Sequence, residues 1–355
     1  MSTKWPSSLT EAVKKYATYK PTSISLRQFV DFGHSPSTRT ILRGSQFVRS
    51  ELPIRLAHRV VELESLPYKL SEMPSIVRVK DWYTESFKEL TEFPTPEAFG
   101  LPKAVLGGVE SGSKVRYFEP SATPDSPLPD EVIAYNEKFV ACLDKIKKRH
   151  DPTTTTIAQG VLELKDHSRR INAPYFPSTP LHKNIPQNTN GTIPFLLPTD
   201  IQSFLDRFYM SRIGIRMLIG QQIALHRSSV KPSSAPLDHV GIICTKTNLL
   251  DVAQDAVSNA REVCQNHYGL FGSPEITFAG KTDVQFMYVP SHLHHMLFEL
   301  LKNSLRAVVE RYGVESDEWP EIKVVVAEGR EDITIKISDE GGGIPRSGMP
   351  LIWTY

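Results

Sequence analysis

The sequence predicts an all-helical unit followed by a mixed α/β unit, and three observations carry that expectation. From Ser25 to His226 apolar residues recur mostly at three- and four-residue spacing, the period of a half-buried helix. After the polar stretch SSVKPSSAP at 228–236, short apolar runs and period-two alternation enter for the first time. The strand signals are confined to the second block, which is the pattern of a helical domain joined to an α/β layer rather than of one alternating fold. The boundary is placed near residue 236.

Residues 1–20 hold four lysines and one acid among several Ser and Thr, which reads as a disordered or transit-like N-terminus. Residues 21–236 form the helical block. Ser25–Gly33 places Phe29 and Phe32 at i,i+3 and ends on a glycine stop signal. Phe47–Leu66 carries Leu56, Val60, Val61 and Leu63 at helical spacing, with Pro53 set to start or kink a helix. Val77–Leu90, Glu131–Leu164 and Thr199–His226 read as further helices, the last with Thr199-Asp200 as its cap. Two Pro/Ser/Gly-rich stretches, about 94–129 and 165–198, bury little apolar surface and read as loop insertions.

In residues 237–355, Gly241–Cys244 and Val284–Val289 read as strands. Leu250–Cys264 is an amphipathic helix with Val252, Ala253, Ala256, Val257, Ala260, Val263 and Cys264 on one face. His292–Tyr312 is a second helix. Glu321–Val326 and Asp332–Ile337 alternate with period two about Glu328-Gly329-Arg330, a β-hairpin signal.

With 41 Lys+Arg against 40 Asp+Glu, the net charge of +1 gives no global electrostatic case for nucleic acid or membrane binding. Cys142, Cys244 and Cys264 are far apart and odd in number, so a disulfide framework or zinc site is not expected. No apolar run approaches the length of a transmembrane helix.

Two stretches are candidates to carry chemistry, the first against a plain solvated helix face and the second against an ordinary glycine turn. On the helix SHLHHMLFELLKNSLR at 291–306, with His295 at zero, Glu299 falls at about 40°, Asn303 at about 80°, Arg306 at about 20° and Lys302 at about −20°. One stripe thus holds an imidazole, a carboxylate, an amide and two cations, while Leu297, Phe298, Leu301 and Leu305 can hold the helix to a sheet. The second stretch, ISDEGGGIP at 337–345, follows a strand. Asp339 can accept from an exocyclic amino group, and the glycines suit close approach of backbone to a ligand. There is no Walker GxxxxGK[ST], and no HRD or DFG set.

Together, E-x-x-x-N-x-x-R on a helix and D-x-G-x-G after a strand resemble the N box and G1 box of the Bergerat, or GHKL, ATPases. Within that group PSHLHHMLFELLKNSLRAVVERYG resembles the mitochondrial protein kinases that phosphorylate pyruvate dehydrogenase or branched-chain 2-oxoacid dehydrogenase. So do SLRQFVDFG, ELPIRLAHRVVELESLP, AQGVLELK, FLDRFYMSRIGIRMLIGQQ and DHVGIICTKTNL, in family order from about residue 20 to 355. PSHLHHMLFE and the N-terminal block are more similar to the pyruvate dehydrogenase kinases.

The resemblance implies a four-helix bundle (a regulatory and lipoyl-docking domain) followed by an incomplete GHKL-type α/β sandwich that binds ATP. It implies a serine kinase of the mitochondrial matrix that inhibits the dehydrogenase E1 subunit, docks on the lipoyl domain of E2 and forms a homodimer. Asn303 would ligate Mg²⁺, Asp339 would hold the adenine amino group, Gly341 and Gly343 would admit the nucleotide, and Arg306 would lie near it. Glu299 would be the general base, with His295 one turn away. Ile24, Phe29, Phe32 and Phe47 would form the lipoyl pocket, and His150, Arg212 and Arg216 a regulatory carboxylate site. The family continues beyond the equivalent of Tyr355 with a phosphate lid, a second glycine box and closing strands. The expectation for this polypeptide is therefore weak or absent ATP binding. A branched-chain dehydrogenase kinase and a non-catalytic lipoyl-binding protein stay open as alternatives.

Overall fold

The computed structural model describes residues 5–34, 36–101, 129–170, 197–230, 238–316 and 318–355. The expected loop insertions fall largely on 102–128 and 171–196, which lie outside the described residues. The chain divides into two units, Met1–Ala235 with Pro350–Tyr355, and Pro236–Met349. The last six residues, expected in the second block, group with the helical unit. The Tyr355 hydroxyl donates to Asp206 at 3.1 Å, and its ring lies 5.3 Å from that of Tyr209.

The helical unit contains α1 (Ser7–Tyr16), α2 (Leu26–Gly33), α3 (Thr38–Glu64), α4 (Pro74–Glu92), α5 (Asp130–Arg149), α6 (Thr153–Arg170) and α7 (Thr199–Val230). The segment expected to be disordered or transit-like is ordered as α1 over Ser7–Tyr16, because Val13 is buried. A capping box sets the start of α2: Ser25 accepts from the Gln28 backbone, and the Gln28 side chain accepts from the Ser25 N–H. Ser37 caps α3 in the same way, accepting from the Thr40 N–H.

Pro53 neither starts nor ends α3, which runs through it. Proline has no N–H to give to the Arg49 carbonyl. The helix persists because Leu52, Leu56, Ala57 and Leu63 around it are fully buried. The single helix expected over 131–164 is two. Pro152 lacks a donor and disfavours helical geometry at Asp151, so α5 and α6 are separated at His150–Pro152. Residues 165–170, expected in loop, complete α6.

Helices α3 and α7 bury residues around much of their circumference, which makes them the interior helices of the unit. Tyr83 and Phe87 of α4, Phe139 of α5 and Phe208 of α7 fill the remaining core. One buried polar network ties α3, α5 and α7 together. Gln222 donates to the Ile41 carbonyl at 3.0 Å and to Ser45 Oγ at 2.9 Å, and Ser45 donates to Asn136 Oδ1 at 3.2 Å.

The second unit contains β1 (His239–Val240), β2 (Ile243–Asn248), α8 (Leu249–Tyr268), β3 (Ile276–Gly280), β4 (Gln285–Tyr288), α9 (Pro290–Tyr312), β5 (Ile322–Glu328) and β6 (Ile333–Ser338). One sheet has the order β1-β2-β4 and is antiparallel. The other has the order β3-β5-β6, with β3 parallel to β5 and β5 antiparallel to β6. The strand expected at 241–244 begins at Ile243, because Gly241 at φ +64 turns the chain between β1 and β2. Strand β3 was not expected at all. Leu293, Leu297, Leu301 and Leu305 of α9 pack with Ala253, Ala256 and Ala260 of α8 and with Val324 and Val326 of β5 in one core. Val263, expected on the buried face of α8, is 43% exposed. Among the described residues, no helix is long and apolar enough to cross a membrane.

Candidate functional site

Strand β6 delivers Asp339 to a position against α9. Ser304 Oγ donates to Asp339 Oδ2 at 2.9 Å, and the Gly341 N–H donates to Asp339 Oδ1 at 2.9 Å. Both carboxylate oxygens are thereby oriented before any ligand arrives. Gly341 lies so close to α9 that an added Cβ would collide with the Ala307 side chain. Gly342 and Gly343 have φ of +98 and +68, a region open mainly to glycine. Arg311 Nη1 donates to the Glu340 carbonyl at 2.7 Å and fixes the far side of the turn. The glycine run therefore serves two ends, seating on α9 through Gly341 and turning through the next two residues.

Ala307 marks where the glycine turn meets the helix. Asn303 and Glu299 lie one and two turns N-terminal to it at i,i+4 spacing, so they share that edge of α9. Asn303 is exposed and Glu299 is half-buried. Glu299 Oε2 accepts from Lys302 Nζ at 2.7 Å, and the ammonium also lies 5.1 Å from the Phe298 ring centroid. His295 is exposed one turn away. The charge partner of the Glu299 carboxylate in this structure is thus Lys302, not His295. Arg306 is not brought to the glycine turn. Its Nε donates to Glu310 Oε1 at 2.7 Å, and the Tyr268 hydroxyl of α8 donates to the same oxygen at 3.0 Å, so it is held toward α8. Ser304 and Lys302 are the residues sequence reasoning left unassigned here.

In the helical unit, Phe29 and Phe32 of α2, Phe47 and Val48 of α3, and Leu218 and Leu225 of α7 line a narrow apolar crevice with room for only about 20 Å³. Three of the four expected pocket residues are brought together. Ile24 is not among the lining residues, since it precedes the Ser25 cap.

His150 closes α5 with its ring stacked on Tyr83 at 4.3 Å and Nε2 3.0 Å from Ser86 Oγ. It is 2% exposed, and burial pushes its pKa down to about 4, with Arg149, Arg212 and Arg216 acting in the same direction. Arg212 Nη2 donates to the His150 and Asp151 carbonyls at 3.4 Å, and Arg216 Nη1 pairs with Asp151 at 2.8 Å. All three expected residues meet here. Around them, Arg212 Nε is buried with unfilled hydrogen-bonding capacity, and the buried Tyr83 hydroxyl faces Thr153 Oγ1. Burial holds the Tyr83 phenol well above its usual range and the Arg212 guanidinium below its own. An unpaired Arg212 Nε beside a second arginine and a buried phenol fits a small carboxylate. Tyr83 carried no signal in the sequence beyond helical core spacing.

These features define a class: a helical unit joined to a helix-on-sheet unit, in which an E-x-x-x-N helix lies under a D-x-G-x-G turn. Residues 23–244 match the family model described as mitochondrial branched-chain alpha-ketoacid dehydrogenase kinase. The [pyruvate dehydrogenase (acetyl-transferring)] kinase, mitochondrial, of Schizosaccharomyces pombe is 39% identical over 98% of this chain and 81% of its own length. Its counterpart from Arabidopsis thaliana is 40% identical over 99% of this chain and 78% of its own length. The human isozyme 3 is 34% identical over 97% of this chain and 71% of its own length. The chain belongs to this family of mitochondrial 2-oxoacid dehydrogenase kinases.

Proposed function

We propose that the chain is a protein serine kinase of the pyruvate dehydrogenase kinase type, which uses Mg-ATP to phosphorylate the E1 subunit of the pyruvate dehydrogenase complex and so inhibits it. The observation that carries this reading is the carboxylate of Asp339, pre-oriented by Ser304 and Gly341 beside the helix edge that bears Asn303 and Glu299. The relatives named as pyruvate dehydrogenase kinases span nearly the whole chain and favour pyruvate dehydrogenase over the branched-chain enzyme named by the family model.

In this reading the second unit is a GHKL-type ATP-binding domain. Asp339 would hold the adenine amino group, Gly341 and Gly343 would admit the nucleotide, and the exposed Asn303 would ligate Mg²⁺. Bound Mg-ATP supplies the phosphoryl group and the charge that stabilises its transfer. Glu299 takes the proton from the substrate serine hydroxyl, which requires its carboxylate to leave Lys302. His295 is placed one turn away to tune that base, and Arg306 reaches the nucleotide only by leaving Glu310. The helical unit, with a four-helix bundle at its centre, docks the lipoyl domain of E2 through Phe29, Phe32 and Phe47, with Ile24 at the approach. It senses a small carboxylate at His150, Arg212 and Arg216. The working form is a homodimer in the mitochondrial matrix.

The test is incorporation of labelled phosphate from ATP into purified E1 of each dehydrogenase, with Glu299→Gln as the variant. Loss of a positioned base lowers transfer by about 10²–10⁴-fold, while binding of a fluorescent ATP analogue is retained. Transfer to E1 at the parent rate by the variant rules out the base assignment. Labelling of the branched-chain E1 in preference to the pyruvate dehydrogenase E1 reverses the substrate.

A further inference from the structure

A cavity of about 400 Å³ lies within the helical unit, away from the three sites above. Its walls come from Lys15, Tyr16 and Tyr19 at the end of α1, from Arg49, Ser50, Pro53 and Ile54 of α3, and from Leu90 and Thr91 at the end of α4. The volume falls in the range of small-molecule sites, about 300–1,000 Å³. The chemistry of the wall is one-sided, with two cations and no carboxylate. Arg49 spends Nε and Nη2 on the Phe93 carbonyl, at 3.1 and 2.9 Å, which fixes its guanidinium in place. Lys15 is exposed and makes no ion pair among the described residues.

The apolar part of the wall is equally definite. Leu90 and Pro53 are buried, and Ile54 is half-buried. Tyr16 is held edge-on against Phe87 at 5.2 Å and against Tyr19 at 6.0 Å, so the aromatic wall is pre-arranged.

We propose that this cavity binds a small organic anion with a flat apolar body, its acid group on Lys15 and Arg49 and its body against Tyr16, Pro53, Ile54 and Leu90. Because one wall is α1 and the others are α3 and α4, occupancy clamps α1 to the rest of the helical unit. None of the residues proposed for nucleotide, lipoyl or regulatory carboxylate binding lines it, so its test is independent of the kinase reading.

The probe is 8-anilinonaphthalene-1-sulfonate, an aryl sulfonate of suitable size, titrated by fluorescence into the full chain. A parallel titration in Phe32→Ser, which alters the wall between α2, α3 and α7 alone, separates dye held there from dye in this cavity. Lys15→Glu is a charge reversal at an exposed helix position, which does not threaten folding. It is expected to weaken binding about fivefold, the scale of an exposed ion pair lost and reversed. Ile54→Trp, checked for unchanged helicity by circular dichroism, is expected to abolish saturable binding by filling the space. The inference is overturned if Lys15→Glu binds the dye as the parent does. It is equally overturned if the uncharged analogue N-phenyl-1-naphthylamine competes as well as the sulfonate, since the site would then be greasy rather than anion-selective.

Discussion

His150→Gln separates one titration from all others in the helical unit. The ring is buried, stacked on Tyr83 and bonded to Ser86, and its pKa is pushed down to about 4 by burial first and by Arg149, Arg212 and Arg216 after it. In the unfolded chain it returns to an ordinary value of about 6.5. A base whose folded pKa is depressed is protonated more readily when unfolded. Its contribution to stability is therefore fully present above pH 6.5 and is lost as pH falls from 6.5 through 4. A gap of about 2.5 units corresponds to about 3 kcal/mol in total, of which about 2 kcal/mol disappears between pH 7.5 and 5.0.

Urea unfolding of the helical unit, followed by circular dichroism in the full chain and in His150→Gln at those two pH values, measures this difference. Carboxylates such as Glu89, held below the usual range by Arg149, titrate in both proteins and cancel. The parent should lose about 2 kcal/mol more than the variant over this interval. Parallel loss in both proteins, or an imidazole NMR titration midpoint near 6.5 in the folded parent, refutes the burial argument. The same reasoning bears on the proposed regulatory site. At neutral pH His150 offers an uncharged ring, so the charge that meets a carboxylate comes from Arg212 and Arg216.

Ser304→Ala removes the donor to Asp339 Oδ2 and should weaken binding of an ATP analogue by about fivefold to tenfold, the scale of a partly exposed bond to a charged group; calorimetry showing an unchanged Kd removes Ser304 from the site. Tyr83→Phe deletes a buried hydroxyl that faces Thr153 and the Arg212 guanidinium. It should weaken inhibition by pyruvate-like acids about fivefold; unchanged inhibition removes the hydroxyl from the carboxylate site. Phe32→Ser, at a half-buried position beside the α2 cavity, should cut affinity for an isolated lipoylated E2 domain about tenfold or more, as loss of an aromatic anchor does, with helicity unchanged. Retained affinity by surface plasmon resonance places the lipoyl group elsewhere.

The helices were legible where one face alone is buried. Leu293, Leu297, Leu301 and Leu305 recur every four residues because α9 packs on one side only, and a local period records a local fact. Strand β3 was not legible because its pairing is not local. Ile276–Gly280 is five residues long and its register is set by β5, which begins at Ile322. The break between α5 and α6 was available in Pro152, but the apolar spacing continues on both sides of it, so periodicity carried the helix across. Ile24 and Phe29 illustrate the same limit within one segment. The capping box at Ser25 starts a helix after Ile24 and so turns Phe29, but not Ile24, toward the α2 cavity.

The stripe on α9 shows what a period can and cannot give. Spacing fixed the azimuth of Glu299, Asn303, Lys302 and Arg306 on the helix, but not the azimuth at which the β6 turn would dock. The structure supplies it through Ser304 and Ala307, at about 180° and 120° on the same scale. The stripe is thereby divided. Asn303 at about 80° and Glu299 at about 40° lie on the edge nearest the glycine turn, whereas Arg306 at about 20° and Lys302 at about −20° lie on the far edge. Arg306 pairs with Glu310 one turn further on, and Lys302 reaches back only as far as Glu299. A nucleotide held by Asp339 meets the amide and the carboxylate before it meets either cation. That ordering is why Asn303 and Glu299 carry the proposed chemistry, and why Lys302 is placed to restrain the base rather than to bind the ligand.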